Sequence, residues 1–494
     1  MNILGISAGF HDAAISLVDH HGDILFAGHS ERYSKSKNEP DICKGLLDEI
    51  RNYDIDTIAY YEYPLAKQLR QWYSGQGIEW NKLSTKKIVY DQCSPWLPNK
   101  PKHIKSYNHH LSHAAAGFQT SPFDRATIVV IDAIGEWDTI SIWGAEYNAK
   151  GQATYKKLWG QKYPHSIGLF YSAMTKQVNL KPNEDEYILM GMSAYGKRTS
   201  IDSIEQEYIQ DEWNLTFKQN LHIGDNDHAL DNHPPADIAA GAQAVTERLI
   251  YNVMHRALDF KWSNNLVYMG GVALNCLANR MLGKYFENVW IMPNPGDAGS
   301  SLGAAALAYG KQLNWQNAYL GHNIAGPYPV NGLLDELLAN QIVGVASGRA
   351  EFGPRALGNR SLLADPRGAD IKDRVNEIKR RQKFRPFAPV ILAEMADQYF
   401  DFMPGWHDSP YMQSVAWCKS PNSFPAICHV DGTSRVQTVS KDGSGIRELL
   451  EKWFVMTGCP MLLNTSLNIK SEPMVNDRKD ADRFQTQYGI KVLS

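Results

Sequence analysis

"NILGISAGFHDAAISLVDHHGDILFAGHSER", Asn2 to Arg32, decides the fold. A β-rich run turns at Gly9 and Asp12, and a second apolar run follows. A polar turn containing Gly22 then leads into a third run. The same pattern returns in "ATIVVIDAIGEWDTISIWGAEYNAKGQATYKKL", Ala126 to Leu158. Its first turn holds Asp132 and Gly135, and its second holds Gly151. Two strand–turn–strand–turn–strand units in one chain predict a duplicated α/β domain.

The actin/hexokinase-like phosphotransferase fold is built this way, with ATP held between its halves. Between the two units a helix is expected in "DICKGLLDEIRNY" and a strand in "IDTIAYYEY". After the second unit the polar stretch 199–235 reads as an irregular insertion. A long helix follows in "PPADIAAGAQAVTERLIYNVMHRALDF", with Pro235 in its first turn and apolar residues recurring at three and four. A strand, "NLVYMGG", comes next. Gly, Pro and Asn crowd "GHNIAGPYPVNG", residues 321–332, which marks a linker. The expected domains are therefore 1–325 and 330–494, the second richer in Arg and Lys.

The 494 residues are 43% hydrophobic, enough for sizeable cores. Net charge is −3, so the whole molecule is no general polyanion binder, and any basic function is local. The six cysteines form no C-x-x-C pair and read as reduced thiols. The N-terminal text shows no charged segment followed by an apolar one, and no apolar run approaches the ~20 residues of a membrane span. A cytoplasmic protein without membrane attachment is expected.

Three histidines fall together in "YNHHLSHAAAGF", residues 107–118. Asn108 is suited to cap a helix starting at His109. His109 and His113 then share one face, one turn apart, while His110 points elsewhere. Two imidazoles placed so can reach one metal ion, although such a pair is more often plain surface polarity. Two aspartates are suited to complete a site. Asp132 ends the apolar strand of "TIVVIDAIGE", and Asp297 lies where the Gly-rich turn of "NPGDAGSSLGAAALAYG" opens a helix. Their plainer roles are a turn residue and a helix cap. Together the four make a mixed N/O set suited to Fe(II), Zn(II) or Mn(II). In "GGVALNCLANRML", Gly270 and Gly271, with Asn275 in the following turn, allow a nucleotide to approach the backbone or simply make a tight β–α turn. In "GFHDAAIS", His11 and Asp12 sit at a turn, where His11 is either a general base towards a hydroxyl or a turn residue.

The second domain carries "GRAEFGPRALGNRSLLADPR", Gly348 to Arg367, then "IKDRVNEIKRRQKFRPFAP". Arg349, Arg355, Arg360 and Arg367 in the first stretch and Arg385 in the second stand among Gly, Pro and Phe, a setting that favours a folded anion pocket over a nucleic-acid surface or a solvated basic face. No aromatic RNA-binding pattern accompanies them. Arg435 in "HVDGTSRVQTV" and the polar end of "PMLLNTSLN" are further candidates for binding phosphate or ribose.

Taken together these stretches resemble the O-carbamoyltransferases of the nodulation and cephamycin/aminoglycoside type (NodU/CmcH). "LGISAGFHDAAISLV", "NHHLSHAAAGF", "GGVALNCLANRML", "NPGDAGSSLGAAAL", "EFGPRALGNRSLLADPR", "FRPFAP", "HVDGTSRVQTV" and "LLNTSLN" occur in the family's order across most of the chain. The resemblance implies an N-terminal domain similar to threonylcarbamoyl transferases (TsaD-like, of the ASKHA or actin/hexokinase-like fold). It also implies a C-terminal YrdC-like domain whose K-x-R and S-x-N elements fall on Lys379, Arg381, Ser466 and Asn468. These four would bind ATP, accompanied by Mg2+, and carbamoyl phosphate, giving carbamoyl-adenylate. A hydroxyl-bearing small molecule would then attack it at the N-terminal metal site, releasing AMP. The metal ligands implied are His109, His113, Asp132 and Asp297, with His11 as base. The other chemistry within reach is threonylcarbamoyl or N-carbamoyl transfer to a nucleoside or tRNA. An actin-like interaction protein is the non-enzymatic reading. Nucleic acid is not expected as a partner of the whole protein, and a homodimer is compatible with the sequence. One departure is Ile188, where the family pattern leads to an expected lysine. The chain is also shorter than long family members, which fits a trimmed acceptor lid.

Overall fold

The computed structural model describes residues 2–93, 97, 99–224, 226, 228–406, 408–441 and 443–494. The chain divides into two compact units, Met1–Ser30 with Asn38–Gln316, and Glu31–Lys37 with Asn317–Ser494.

The first unit contains two five-stranded sheets. One is built from β1 (Ile3–Ser7), β2 (Ala14–Val18), β3 (Ile24–His29), β4 (Thr57–Tyr60) and β5 (His103–Ser106), in the order β3-β2-β1-β4-β5. The first three strands run antiparallel, and β4 and β5 continue parallel to β1. The other begins with β6 (Arg125–Ile131), β7 (Asp138–Tyr147) and β8 (Ala153–Lys162). A short ribbon, β9 (Ile209–Asp211) and β10 (Thr216–Phe217), intervenes before β11 (Asn265–Met269) and β12 (Asn288–Trp290). The order β12-β11-β6-β7-β8 repeats the first sheet, with the same antiparallel and parallel pairings. The duplication expected from the two quoted stretches is therefore present in the topology itself. Every residue of β1, β2 and β4 is buried, as suits strands covered on both faces.

The helix after the fifth strand of each repeat packs on the other repeat. The helix His109–Thr120 lies on β6, β7 and β11, and the helix Ser300–Tyr309 lies on β1, β2 and β4. The two helices touch through Gly303, where a Cβ would fall 1.8 Å from the Ser112 carbonyl oxygen, so only glycine permits this approach. Asn108 caps the first of them, its side chain accepting from the Leu111 N–H at 3.0 Å.

Three local expectations are corrected. The helix expected in residues 41–53 is a single turn and a little more, Lys44–Asp48. The stretch 199–235 is not irregular throughout, because it contains the helix Ile201–Tyr208 and the β9–β10 ribbon, anchored by Ile204, Tyr208 and Phe217 in the core. The segment 321–332 is not a linker. Its start belongs to β13 (Tyr319–Ile324) and its end to the helix Val330–Asn340, so the units divide at Gln316/Asn317. Gly and Pro there shape a turn inside a folded unit. The helix Pro235–Asp259 forms as expected.

In the second unit β13 pairs with β15 (Gly348–Glu351). The main sheet has six strands, β14 (Ile342–Ala346), β16 (Arg360–Ala364), β17 (Ala388–Leu392), β21 (Gln437–Val439), β22 (Met461–Ser466) and β23 (Val492–Leu493), in the order β21-β17-β22-β16-β14-β23. A smaller sheet joins β18 (Phe400–Asp401), β19 (Ala416–Cys418) and β20 (Thr433–Ser434). Val343, Leu362, Ile391, Leu463 and Trp453 form the centre of one apolar core. All six cysteines are free thiols. No helix among the described residues is long and apolar enough to cross a membrane.

Candidate metal centre and basic cradle

The internal repeat brings four parts of the first unit to one place. The β1–β2 turn carries His11 and Asp12, and the equivalent β6–β7 turn carries Asp132. The helix after β5 carries His109 and His113, and the equivalent segment after β12 carries Asp297.

His109, His113, Asp132 and Asp297 are all buried, and one ligand atom from each lies within 4.8 Å of the others. The His113 Nε2 stands 3.1 Å from His109 Nε2 and 3.2 Å from Asp297 Oδ1. The His109 Nε2 is 3.3 Å from both Asp132 Oδ2 and Asp297 Oδ1. On its far side His113 Nδ1 lies 3.1 Å from the Pro295 carbonyl oxygen, so Nδ1 carries the proton and Nε2 turns a lone pair inward. Lone pairs of two imidazoles and two carboxylates thus converge and need a positive charge among them. Burial opposes charge on His109, but the Asp297 and Asp132 carboxylates outweigh it and hold its pKa well above the usual value. Burial and Asp297 raise the Asp132 pKa, yet the histidines prevail and bring it to about 2. A divalent cation suits the same donors, and the N2O2 set fits Zn(II), Fe(II) or Mn(II).

The surroundings hold these ligands in place. Asp132 Oδ1 accepts from the Gly271 N–H at 3.0 Å. Glu136 accepts from the backbone N–H groups of Tyr63 (2.8 Å) and His109 (3.0 Å) and from the Asn108 amide (2.8 Å), which fixes the start of the ligand helix. Glu62 Oε2 lies 3.7 Å from His109 Nδ1, and its Oε1 accepts from Lys67 at 2.8 Å. Burial works against the Glu62 carboxylate, but Lys67 and His109 keep its pKa low. Sequence reasoning missed Glu62 and Glu136. The signal for Glu62 was the one used for Asp132, an acid at the end of a buried strand. His110 turns away, its Nδ1 2.7 Å from Ser141 Oγ, and burial followed by its two histidine neighbours keeps it neutral.

His11 reaches the centre, with Nε2 3.7 Å from Asp297 Oδ2 and Nδ1 2.9 Å from Asp12 Oδ2. Burial lowers its pKa, but Asp12 and Asp297 together lift it to about 9. Asp12 adopts φ +53°, held by the turn. Gly270 has φ +92°, and a Cβ there would come within 2.2 Å of the Ile131 carbonyl oxygen, so the tight turn after β11 requires glycine. Asn275 accepts from the Ala278 N–H and exchanges hydrogen bonds with Gln243, so its side chain is engaged within the fold. Ile188 is buried in the helix Glu186–Met192, where a lysine would have to bury its charge.

In the second unit Lys379, Ser466 and Asn468 come together. The buried Lys379 Nζ donates to the carbonyls of Ser466 (2.5 Å) and Asn468 (2.8 Å) and to Asn468 Oδ1 (2.9 Å). Burial, then Arg381 and Arg385, press its pKa well below the usual lysine value. A cavity beside Asn468 is lined also by Lys35, Glu472, Asp480 and Arg483. Arg381 lies over the Phe387 ring and donates to Asn376 Oδ1 at 2.7 Å. Arg349 donates to the Leu320 carbonyl at 2.5 Å, and Arg355 and Arg385 are half-buried. Arg435, between β20 and β21, has an Nε buried without a hydrogen-bond partner among the described residues. Arg360 corrects the expectation of a phosphate ligand. All five of its N–H donors go to backbone carbonyls, those of Asn476, Ser347, Asn359, His322 and Gly348.

Comparison with known proteins places the chain. The family model described as "Carbamoyltransferase N-terminus" matches residues 81–306, and "Carbamoyltransferase C-terminus" matches 334–494. Nodulation protein U of Sinorhizobium fredii is 30% identical over 95% of this chain and 94% of its own length. The chain belongs to the carbamoyltransferase family. The uncharacterized protein sll1178 of Synechocystis sp. is 33% identical over 100% of this chain and 95% of its own length. Among solved structures, the ADPNP-bound activator of 2-hydroxyisocaproyl-CoA dehydratase from Clostridium difficile is 16% identical. It covers 63% of this chain and 94% of its own at TM-score 0.35, too loose a likeness to carry a fold assignment. The fold assignment of the first unit rests on its internal repeat.

Proposed function

We propose that this carbamoyltransferase is an ATP-dependent O-carbamoyltransferase with a half-reaction in each unit. The observation that carries the reading is the separation of two unlike constellations, the buried His2Asp2 centre in one unit and the Lys379–Ser466–Asn468 cradle in the other.

The second unit, read as YrdC-like, makes carbamoyl-adenylate. The balance requires one water. Carbamoyl phosphate gives carbamate and inorganic phosphate, and a carbamate oxygen attacks the α-phosphorus of ATP, expelling pyrophosphate. Arg435, Arg381 and Arg385 supply the positive field that such an anionic transition state needs, and Lys379 fixes the Ser466–Asn468 segment. Mg2+ would accompany the ATP.

In the first unit a hydroxyl of a small-molecule acceptor attacks the carbamoyl carbon. The C–O bond forms, the bond to the AMP phosphate breaks, and AMP leaves. His109, His113, Asp132 and Asp297 are the residues that would hold a divalent cation, Fe(II), Zn(II) or Mn(II). When bound, that cation would supply charge stabilisation for the leaving phosphate. With a cation bound to offset the Asp297 and Asp132 charges that otherwise keep His11 protonated, His11 would receive the acceptor's proton, with Asp12 orienting the ring. Gly270 and Gly271 let the nucleotide approach the backbone. Excluding water protects the labile mixed anhydride.

The test is incubation with ATP, carbamoyl phosphate and a divalent metal. Pyrophosphate release that depends on carbamoyl phosphate supports the reading. Release that depends instead on bicarbonate and threonine would replace it with threonylcarbamoyl chemistry.

A further inference from the structure

The helix Pro64–Tyr73 is turned inside out. Apart from Pro64 at its start, its buried side chains are polar, with Lys67 8%, Gln68 2% and Arg70 4% exposed. Its exposed ones are apolar, with Leu65 56%, Leu69 47% and Trp72 63% exposed. Burying cations is costly unless each finds a partner, so each inward residue needs an account. Lys67 is answered by Glu62 at 2.8 Å. Gln68 Oε1 accepts from the Glu79 N–H at 2.7 Å. Arg70 has no ion pair and no side-chain hydrogen bond among the described residues, and its Nε is buried without a partner. The ring of Tyr163 lies 5.8 Å from it, and the Glu62 carboxylate and the His222 ring are near enough for its charge to be felt.

The place of this guanidinium gives it meaning. Lys67 stands one helical turn before Arg70, and its partner Glu62 lies 3.7 Å from the ligand His109. Lys67 also lies over Phe10, the neighbour of His11. Tyr163 hangs from the turn that carries Asp132, its N–H donating to the Trp137 carbonyl at 2.8 Å. Its hydroxyl is held by Asn220 at 2.7 Å. Arg70 thus borders the transfer centre from the side of Glu62, whereas Gly271, where a nucleotide would approach, adjoins Asp132.

We propose that Arg70 reads an anionic group, a carboxylate or phosphate, on the acceptor, which is therefore a hydroxyl compound bearing such a group. This rests on the O-carbamoyltransferase reading and narrows its substrate class. An arginine fork recognises either anion bidentately. The phosphate of the adenylate is the other source of the same chemistry, and the experiment separates the two.

Full-length protein carrying Lys379→Ala, to weaken anion binding in the second unit, is titrated calorimetrically with inorganic phosphate and with AMP. Arg70 is then changed to Met and to Lys in that background. The expected result is that Arg70→Met weakens phosphate binding at least about tenfold, Arg70→Lys recovers part of it, and AMP binding stays as it was. Phosphate binding that is absent, or indifferent to Arg70→Met, overturns the proposal. Loss of AMP affinity in Arg70→Met assigns Arg70 to the nucleotide and also overturns it. Melting provides a fold control, because removing an unpaired buried cation should leave Tm unchanged or raise it. A fall of several degrees would make Arg70 a structural residue and contradict the proposal. Absence of carbamoyl phosphate-dependent pyrophosphate release from the wild-type protein would defeat the functional reading separately, whatever the phosphate titration shows.

Discussion

The His2Asp2 cluster of the first unit and Arg360 of the second treat buried charge in opposite ways. In the first, four ligand-type groups crowd within 4.8 Å, and their lone pairs leave a demand for a cation that the fold does not fill. In the second, the most buried arginine is answered completely, with five donors on five carbonyls, and Lys379 is held by Ser466 and Asn468. A buried charge is therefore not by itself a sign of function. The difference lies in what remains unanswered after the fold has taken its share.

The largest expected effect breaks the first region alone. His113→Ala removes one of four ligands and lowers transfer from supplied carbamoyl-adenylate by about a thousandfold, while pyrophosphate release in the second unit continues. Metal analysis should show the bound ion lost, and full metal content with full transfer would remove His113 from the centre. Lys379→Ala is the mirror experiment. It should suppress adenylate formation by at least about a hundredfold and cost about 1–3 kcal/mol of stability by stranding the Ser466 and Asn468 acceptors. The rate of pyrophosphate release and a denaturant titration check the two parts.

Arg360→Ala sharpens the contrast. It should cost about 3 kcal/mol or more, because several buried carbonyls lose their donor. The folded fraction should keep its ATP affinity, and isothermal titration would reveal otherwise. Glu62→Gln is the mildest change. It removes the carboxylate behind His109 and should weaken metal binding about tenfold, in the range found for groups that orient a ligand from outside. Metal affinity equal to wild type would show that Glu62 serves Lys67 alone.

Much of this was legible because local signals and tertiary demands agreed. The paired strand–turn–strand stretches announced the repeat, and Asn108 with the four-residue spacing of His109 and His113 placed both rings on one helix face. Asp132 and Asp297 could be picked out by their position at element ends. The arginines were less legible. Arg360 and Arg435 look alike in a Gly-rich text, and only the backbone carbonyls gathered from distant segments distinguish the consumed residue from the one with a bare Nε. Glu136 was missed for the same reason, because its role depends on partners far away in sequence, the N–H groups of Tyr63 and His109. Gly and Pro in 321–332 misled because a turn within a folded unit uses the same residues as a linker.

The central claim is that activation and transfer belong to separate units and that only transfer depends on the His2Asp2 centre. The most direct test is to strip divalent metal from the full-length protein, restore Mg2+ alone, and follow both half-reactions. Carbamoyl phosphate-dependent pyrophosphate release should persist, while AMP release from supplied carbamoyl-adenylate with a hydroxylated acceptor should stop and return with Fe(II), Zn(II) or Mn(II). Loss of both together, or of neither, would contradict the account.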